Sequence, residues 1–207
     1  MKILFQGDSI TDMGRSRENP RSMGMSYAML VSADLGLEAP GCHEFTNRGI
    51  SGNRIVDIYA RLKADILNLE PDVMSLLIGV NDVWHEFGGH NGVETDRFEK
   101  VYRMLIEDIK AKLPNIKLML MEPFVLKAAA TEGNWEEFKS EVEAKAAVVA
   151  KLATEFNLTF VPLQQRLNDA CALAPADYWI PDGVHPSPAG HRILANAWLE
   201  AFHRDIG

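Results

Sequence analysis

The stretch that decides the fold is Lys2-Ile3-Leu4-Phe5-Gln6, followed directly by Gly7-Asp8-Ser9-Ile10. The first run is short and apolar, which is typical of a buried strand. The second run places a serine hydroxyl at the point where that strand ends. Side chains at the carboxyl ends of parallel strands face an open crevice, where α/β proteins position their reactive groups. The stretch therefore predicts an α/β fold with Ser9 at a functional edge.

Four more strand-like runs follow, and helical patterns separate them. The five predicted strands are Lys2–Gln6, His43–Asn47, Val73–Ile78, Lys117–Met121 and Leu158–Pro162. Three of them are nearly continuous apolar runs, as expected for parallel strands that are covered on both faces. Five strands alternating with helices predict a three-layer α/β/α sandwich with right-handed crossovers. Because no repeat or linker interrupts the pattern, one domain over residues 1–207 is expected.

Apolar residues between the strands recur with helical spacing. This pattern predicts helices over Ile55–Ile66, over Asp96–Ile109 with a first turn resembling a capping box, and over a segment that Asn134 opens as N-cap. The last helix is expected to begin at Ser187-Pro188, because serine is a favoured N-cap and proline fits the first helical position.

Two polar segments, Asp12–Ser22 and Glu86–Thr95, are predicted to be loops that follow strand ends. Both are therefore candidates for the rim of a pocket. His85 and His90 flank the second segment, but two histidines without cysteine or carboxylate partners at ligand spacing are a weak zinc signal.

Composition and charge exclude several kinds of partner. The formal net charge is −8 and no basic cluster is present. Nucleic acid is not expected, because phosphate neutralisation supplies most of the affinity for it, and an anionic membrane surface is disfavoured for the same reason. No run of 18 apolar residues and no secretory signal is found, so neither a membrane span nor export is expected.

The two cysteines bear on location. Cys42 and Cys171 lie far apart and are predicted to be free thiols, which favours a reducing cytoplasm. A homo-oligomer is compatible with the sequence, but no pattern indicates a subunit number.

Three further polar motifs lie where the pattern places strand ends or the last helix. Asn47-x-Gly49-x-x-Gly52 follows strand two, Gly79-Val80-Asn81-Asp82 follows strand three, and Asp182-x-x-His185 precedes the last helix. The topology puts all of them at the same edge of the sheet as Ser9.

The residue types fit nucleophilic catalysis. A serine hydroxyl needs a base within hydrogen-bond reach, and His185 is the candidate because an imidazole titrates near neutral pH. Asp182 can accept from the other ring nitrogen and hold the tautomer. Attack on an ester creates an oxyanion, for which donors must be waiting. The candidate donors are the backbone amides of Ser9 and Gly52 and the side-chain amide of Asn81.

The four motifs together resemble, in order, spacing and strand context, the four sequence blocks of the SGNH hydrolases, also called GDSL-type esterases. Ile10 stands where that family usually has leucine. The resemblance implies a flavodoxin-like five-stranded parallel sheet and hydrolysis of acyl esters without a metal or other cofactor. It also implies a functional quartet of Ser9, Gly52, Asn81 and His185, with Asp182 as the triad carboxylate.

Within the family, the runs Phe5 to Asp12, Asn47 to Asn53 and Gly79 to Trp84 look most like bacterial acetylxylan esterases, which remove acetyl groups from xylan or xylo-oligosaccharides. The expected function is therefore an O-acetylesterase that forms an acyl-enzyme with a small acetylated carbohydrate. A thioesterase or lysophospholipase-like acyl hydrolase is the alternative. A non-catalytic flavodoxin-like binding domain is a more remote one.

Several other residues near the motifs have two interpretations. Trp84 and Trp179 are candidates either for stacking on a sugar ring or for filling the core. Asp8 and Asp12 are expected to stabilise the turn after strand one rather than to bind a metal, since no third ligand is evident. The remaining expectations are that Asp82 stabilises its turn, Arg54 holds a loop and His191 packs or caps.

Overall fold

A five-stranded parallel sheet forms the centre of the protein in a computed structural model that describes residues 1–207. Its strands are β1 Lys2–Gly7, β2 Glu44–Asn47, β3 Val73–Leu77, β4 Lys117–Met121 and β5 Thr159–Val161. They lie in the order β2-β1-β3-β4-β5, and every neighbouring pair is parallel. This is the flavodoxin-like strand order. All five predicted strands are confirmed, with ends that differ by at most one residue.

Ten α-helices connect and cover the strands. They are α1 Ser9–Asp12, α2 Tyr27–Glu38, α3 Ile55–Ala60, α4 Leu62–Asp65, α5 Val80–Gly89, α6 Thr95–Lys112, α7 Trp135–Glu155, α8 Gln164–Ala170, α9 Ala176–Trp179 and α10 Pro188–Asp205. Short 3₁₀ turns add Leu67–Leu69 and Glu132–Asn134. No helix has the length and apolar character needed to cross a bilayer.

The sheet has a separate hydrophobic core on each face, because successive strand residues point in opposite directions. Ile3 and Phe5 of β1 enter one core, in which Trp198 of α10 is fully buried. Leu4 between them enters the other core, together with Phe98 of α6. With helices packed on both faces, the predicted three-layer α/β/α sandwich is confirmed.

The prediction of one continuous helix over Ile55–Ile66 is wrong, because the segment forms two short helices, α3 and α4, that are separated at Arg61. The guanidinium of Arg61 donates to the carbonyl oxygens of Arg48 at 2.8 Å and Gly7 at 3.2 Å, and to Asn53 Oδ1 at 2.8 Å. These bonds pull the helix towards the ends of β1 and β2. Sequence periodicity does not register such long-range contacts.

The predicted capping box at Asp96 is also wrong, since α6 begins one residue earlier, at Thr95, with Glu94 at the N-cap position. The chain ahead of this helix is already fixed, because the Val93 amide donates to the Asp82 carbonyl oxygen at 2.8 Å. A contact across the chain therefore sets the start of the helix.

The two other predicted caps have different outcomes. Asn134 stands at the N-cap position of α7, but its side chain caps nothing, because a 3₁₀ turn runs directly into the helix. Ser187 caps α10 as predicted: its Oγ accepts from the Gly190 amide at 3.2 Å, and Pro188 is the first helical residue.

The predicted loop Glu86–Thr95 is wrong in its first half, because α5 continues to Gly89. The ring of Phe87 stacks on that of Phe138 in α7, with 5.3 Å between the ring centroids. This contact holds the last turn of α5 in helical form despite its two glycines. The segment Asp12–Ser22 has no regular structure beyond the end of α1.

Candidate active site

Ser9 lies at the carboxyl end of β1, as the first residue of α1. The Asp8 side chain caps this helix by accepting from the Ile10 amide at 3.0 Å. Gly7 cannot carry a side chain, because a Cβ there would lie 2.5 Å from the Leu77 carbonyl oxygen of β3. The tight strand-to-helix turn therefore explains both flanking residues, and it presents the serine at the sheet edge.

Ser9, His185 and Asp182 form one hydrogen-bonded chain. Ser9 Oγ is 2.8 Å from His185 Nε2, and His185 Nδ1 is 2.6 Å from Asp182 Oδ2. The serine follows the first strand, whereas Asp182 and His185 belong to the loop before α10, with His185 176 residues further along the chain than Ser9. The structure thus brings together three residues that the sequence placed at one edge.

The Asp182 carboxylate is held in place by its own loop. Its Oδ1 accepts from the amides of Val184 at 2.9 Å and His185 at 2.7 Å, while Oδ2 faces the imidazole. Partial burial by itself would raise the pKa of Asp182, but the bonds from the His185 ring and from these amides lower it to about 2. The hydrogen bond with Asp182 raises the pKa of His185 above 6.5, against the opposing effect of burial. The carboxylate therefore stays ionised beside the imidazole.

Three hydrogen-bond donors surround the serine. Gly52 is the third residue of the turn Ile50–Asn53 and has φ +82°, a conformation that favours glycine, and its amide has no partner in the chain. The Ser9 amide stands at the start of α1, where no helical carbonyl can accept from it. Asn81 Nδ2 donates to the Asn53 carbonyl oxygen at 3.1 Å, which uses one of its two hydrogens.

These groups line one cleft of 640 Å³. Besides Ser9, Gly52, Asn81 and His185, it is lined by Ser51, Trp84, His85, Gly88, Gly89 and Asn91. The ring centroid of Trp84 is 5.9 Å from that of His185. Three residues of the second polar segment, Gly88, Gly89 and Asn91, thus line the pocket, whereas the segment Asp12–Ser22 does not.

The structure does not bring Trp179 into the cleft. Its indole Nε1 donates to the Ala174 carbonyl oxygen at 3.2 Å, and its own carbonyl oxygen accepts from the Ser187 amide at 2.8 Å. The ring packs edge-on against Tyr178, with 4.9 Å between centroids. Trp179 therefore fixes the start of α10, and of the two tryptophans only Trp84 faces the site.

The acidic residues near the site bind backbone amides. Asp12 Oδ2 accepts from the Ser51 amide at 3.0 Å, and both Asp82 oxygens accept from the Ile55 amide, at 3.0 and 3.2 Å. Asp82 thus stabilises the start of α3 rather than its own turn. The sequence did not reveal this role, because the two residues lie 27 positions apart. Burial raises the pKa of Asp8 to about 7 and that of Asp82 to about 8.

Arg54 and His191 have the structural roles that the sequence indicated. Arg54 Nη1 donates to the Asn91 carbonyl oxygen at 2.7 Å and to its Oδ1 at 2.8 Å, so it holds a loop. His191 is buried, and its Nδ1 accepts from the Tyr27 amide at 3.1 Å, at the start of α2. Burial lowers the pKa of His191 to about 4, which keeps the ring neutral and able to accept.

No group of three or more His, Cys, Asp or Glu side chains is arranged to hold a metal ion. His90 is exposed and pairs with Glu86, with Nδ1 3.5 Å from Oε1. His85 points elsewhere, because it lines the cleft. The two histidines therefore do not form a joint site. Cys42 and Cys171 are both free, as predicted.

Sequence reasoning missed Ser51 and His85 as cleft-lining residues, and it named Gly88, Gly89 and Asn91 only as part of a segment that could rim a pocket. A signal was available for two of them: His85 and Gly88 follow Asn81 at i+4 and i+7, so a helix beginning at residue 80 places them on its face. The prediction of a loop concealed that spacing.

Comparison with known proteins agrees with this geometry. Residues 5–193 match the model of the GDSL-like lipase/acylhydrolase family. The chain belongs to this family. It is therefore a carboxylic ester hydrolase, and its fold is that of the family's solved members.

Individual relatives cover nearly the whole chain. An acetylxylan esterase of Geobacillus stearothermophilus is 38% identical and aligns with 100% of this chain and 94% of its own length. The crystal structure of the acetylxylan esterase Axe2 from the same organism has a TM-score of 0.86 at 33% identity, covering 97% of this chain and 93% of Axe2. A putative GDSL-like lipase of Parabacteroides merdae reaches a TM-score of 0.90 at 40% identity, with coverages of 98% and 95%.

Proposed function

We propose that this esterase removes acetyl groups from carbohydrates, with xylo-oligosaccharides as the leading substrate class, through an acyl-enzyme formed on Ser9. The observation that carries the proposal is the chain Ser9 Oγ to His185 Nε2 to Asp182, at 2.8 and 2.6 Å, beside three donors in one cleft. The name acetylxylan esterase, which the curated relative and the solved Axe2 structure both carry, supports the substrate class.

The first half-reaction forms the acyl-enzyme. His185 Nε2 takes the hydroxyl proton as Ser9 Oγ attacks the acetyl carbonyl carbon, and Asp182 stabilises the resulting imidazolium through Nδ1. The carbonyl oxygen becomes an oxyanion that accepts from the amides of Ser9 and Gly52 and from Asn81 Nδ2. His185 then gives its proton to the departing sugar oxygen, and the ester bond to the sugar breaks.

The second half-reaction releases acetate. A water molecule enters where the sugar oxygen left, and His185 Nε2 removes its proton as it attacks the acyl carbon. The same donors hold the second oxyanion. When this intermediate collapses, Ser9 Oγ leaves and regains its proton from His185, so that the enzyme returns to its starting state.

Two features of the cleft favour an ester whose alcohol part is a carbohydrate over an ester with a long acyl chain. Trp84 offers an aromatic face near His185, and such faces suit the apolar side of a sugar ring. His85 and Asn91 add polar groups to the same cleft, which suit hydroxyls better than an alkyl chain.

Substrate panels test the proposal directly. Acetate release would be measured from acetylated xylo-oligosaccharides, pectic fragments and chitin oligomers, together with hydrolysis of p-nitrophenyl acetate and octanoate. We expect the acetyl ester and the acetylated xylo-oligosaccharides to be the best substrates. A clear preference for octanoate would instead support a thioesterase or lysophospholipase-like acyl hydrolase.

The nucleophile has a matched control. Ser9→Ala is expected to lower turnover on the order of 10⁴–10⁶-fold with an unchanged circular dichroism spectrum. Ser32→Ala removes an exposed hydroxyl that bonds only the Met29 carbonyl oxygen of its own helix, and should leave turnover as in the wild type. Retention of activity in Ser9→Ala would refute the acyl-enzyme.

A cytoplasmic location is part of the same proposal. It is supported by the free thiols of Cys42 and Cys171.

A further inference from the structure

One face of α5 lines the cleft over two helical turns. The lining residues Asn81, Trp84, His85 and Gly88 are spaced i, i+3, i+4 and i+7, so they share one side of the helix. Gly88 lies roughly 10 Å along the helix axis from Asn81. The cleft therefore continues well beyond the donors that would hold an acetyl oxygen, and an acetyl group would occupy only its Ser9 end.

The continuing part of the cleft offers polar groups that the chain itself does not use. The His85 ring makes no hydrogen bond within the protein, and it is only half-buried. Asn91 accepts from Arg54 through Oδ1, which fixes the side chain and leaves its Nδ2 free to donate. The ring of Trp84 packs edge-to-face against that of Phe138, with 6.2 Å between the ring centroids. A fixed aromatic ring beside free hydrogen-bonding groups matches the mixed surface of a sugar ring.

Two glycines keep the far end of this cleft open. A Cβ added at Gly88 or at Gly89 would meet no atom within 4 Å. Neither residue has a positive φ, so the backbone does not require glycine at these positions. In a helix glycine is the less favourable choice, since it costs about 1 kcal/mol relative to alanine. Because both glycines line the cleft, the missing side chains leave this part of it open to a ligand.

We propose that Trp84, His85 and Gly88 of α5, together with Asn91, form a binding subsite for a second sugar ring on the alcohol side of the substrate. The subsite deepens the proposed deacetylase function and rests on it. An enzyme with this subsite binds an acetylated oligosaccharide better than an acetylated monosaccharide, because the second ring adds contacts that the first cannot reach.

The test compares two glycine variants on substrates of different length. The kcat and KM of the full-length protein would be measured with acetylated xylotriose, acetylated xylose and p-nitrophenyl acetate. Gly88→Phe fills the open end, and the loss of kcat/KM on xylotriose should exceed the loss on p-nitrophenyl acetate about tenfold or more, mainly through KM. Gly36→Phe is the matched control, because Gly36 is also helical, has equally open surroundings and does not line the cleft.

A second variant tests the hydrogen bonds without adding bulk. His85→Ala should raise the KM for acetylated xylotriose about 3- to 10-fold, as expected for one lost hydrogen bond, and should affect acetylated xylose less. Hydrolysis of p-nitrophenyl acetate reports that both variants are folded.

Three outcomes would overturn the subsite. They are a wild-type kcat/KM no higher for acetylated xylotriose than for acetylated xylose, equal losses on all three substrates in Gly88→Phe, and no wild-type turnover of either acetylated sugar. Only the last of these also refutes the proposed function. The others leave carbohydrate deacetylation standing and reject the second ring site alone.

Discussion

Replacement of Asp182 by asparagine separates the two tasks of this carboxylate. Its Oδ1 holds the loop by accepting from the Val184 and His185 amides, and its Oδ2 orients the imidazole from 2.6 Å. The asparagine carbonyl oxygen can take over the first task, so the loop should keep its shape. The amide nitrogen that replaces Oδ2 is a donor and cannot accept from His185 Nδ1.

The expected loss follows from the tautomer. A donor facing Nδ1 forces that nitrogen to accept, which places the imidazole proton on Nε2, 2.8 Å from Ser9 Oγ. A protonated Nε2 cannot remove the hydroxyl proton. The kcat/KM for p-nitrophenyl acetate should therefore fall by about 10⁴, the scale of a wrong tautomer in a triad of this kind.

The pH profile gives a second readout with a defined sign. The base must be neutral, so activity is lost as the pH falls through the pKa of His185, which Asp182 raises above 6.5. Without the carboxylate this pKa falls, and the acid limb of the residual activity should move to lower pH. The wild-type limb should lie above that of the variant when kcat/KM is measured from about pH 5 to about pH 9.

Asp177→Asn is the matched control. It removes the same charge from an exposed side chain of α9, outside the cleft, and should change neither the rate nor the acid limb. A loss below tenfold in Asp182→Asn, with the acid limb unmoved, would refute the assignment of Asp182 as the group that sets the tautomer of His185.

Three further predictions concern the supporting residues. Asn81→Ala should lower kcat about 10²–10³-fold with little change in KM, and steady-state kinetics showing the reverse would exclude its role as an oxyanion donor. Asp82→Asn keeps an acceptor for the Ile55 amide but removes a buried charge. Because folding raises the pKa of Asp82 from 3.8 to about 8, the wild-type free energy of unfolding should fall as the pH rises between these values, whereas the variant lacks this loss. Thermal melts at several pH values should thus show a stabilisation by Asp82→Asn that grows to the order of a few kcal/mol, and a gain independent of pH would contradict this. Gly49→Ala would place a Cβ 2.4 Å from the backbone nitrogen of Asp12, so urea titration should show a loss of about 1–3 kcal/mol, and an unchanged midpoint would contradict the close approach.

The strands and the reactive residues could be predicted because their signals are local. Three of the five strands are nearly continuous apolar runs, and Ser9 and Asn81 lie a few residues after the strands that precede them. In a parallel sheet the carboxyl ends of all strands share one edge, so the sequence order alone brought distant residues together. That reasoning also placed Asp182 and His185, which lie in the loop before an easily recognised N-cap.

Contacts between distant segments set the features that could not be predicted. The extension of α5 through Gly88 and Gly89 depends on the packing of Phe87 against Phe138, a residue of another helix. Similarly, α6 begins where the Val93 amide meets the carbonyl oxygen of Asp82. Glycine content and capping patterns describe only the local preference of the chain, and here tertiary contacts outweigh it.

The donors around Ser9 are positioned by residues that never touch substrate. The Asn53 carbonyl oxygen orients Asn81 Nδ2, and Arg61 Nε holds Asn53 through its Oδ1 at 2.8 Å. The same guanidinium donates to the Gly7 carbonyl oxygen, so one side chain links the end of β1 to the turn that contains Gly52. Donors fixed in advance need no reorganisation when charge develops, which is the condition for strong oxyanion stabilisation.

Buried carboxylates beneath this arrangement carry a cost in stability. Asp8 caps the turn that presents Ser9, and Asp82 fixes the start of α3, but burial raises the pKa of both groups towards neutral pH or above. Above those values each is a desolvated charge that opposes folding. These carboxylates therefore hold the site in place at the cost of burying a charge, and a neutral replacement would remove that cost. This is why Asp82→Asn is expected to stabilise the protein at high pH although Asp82 supports the active site.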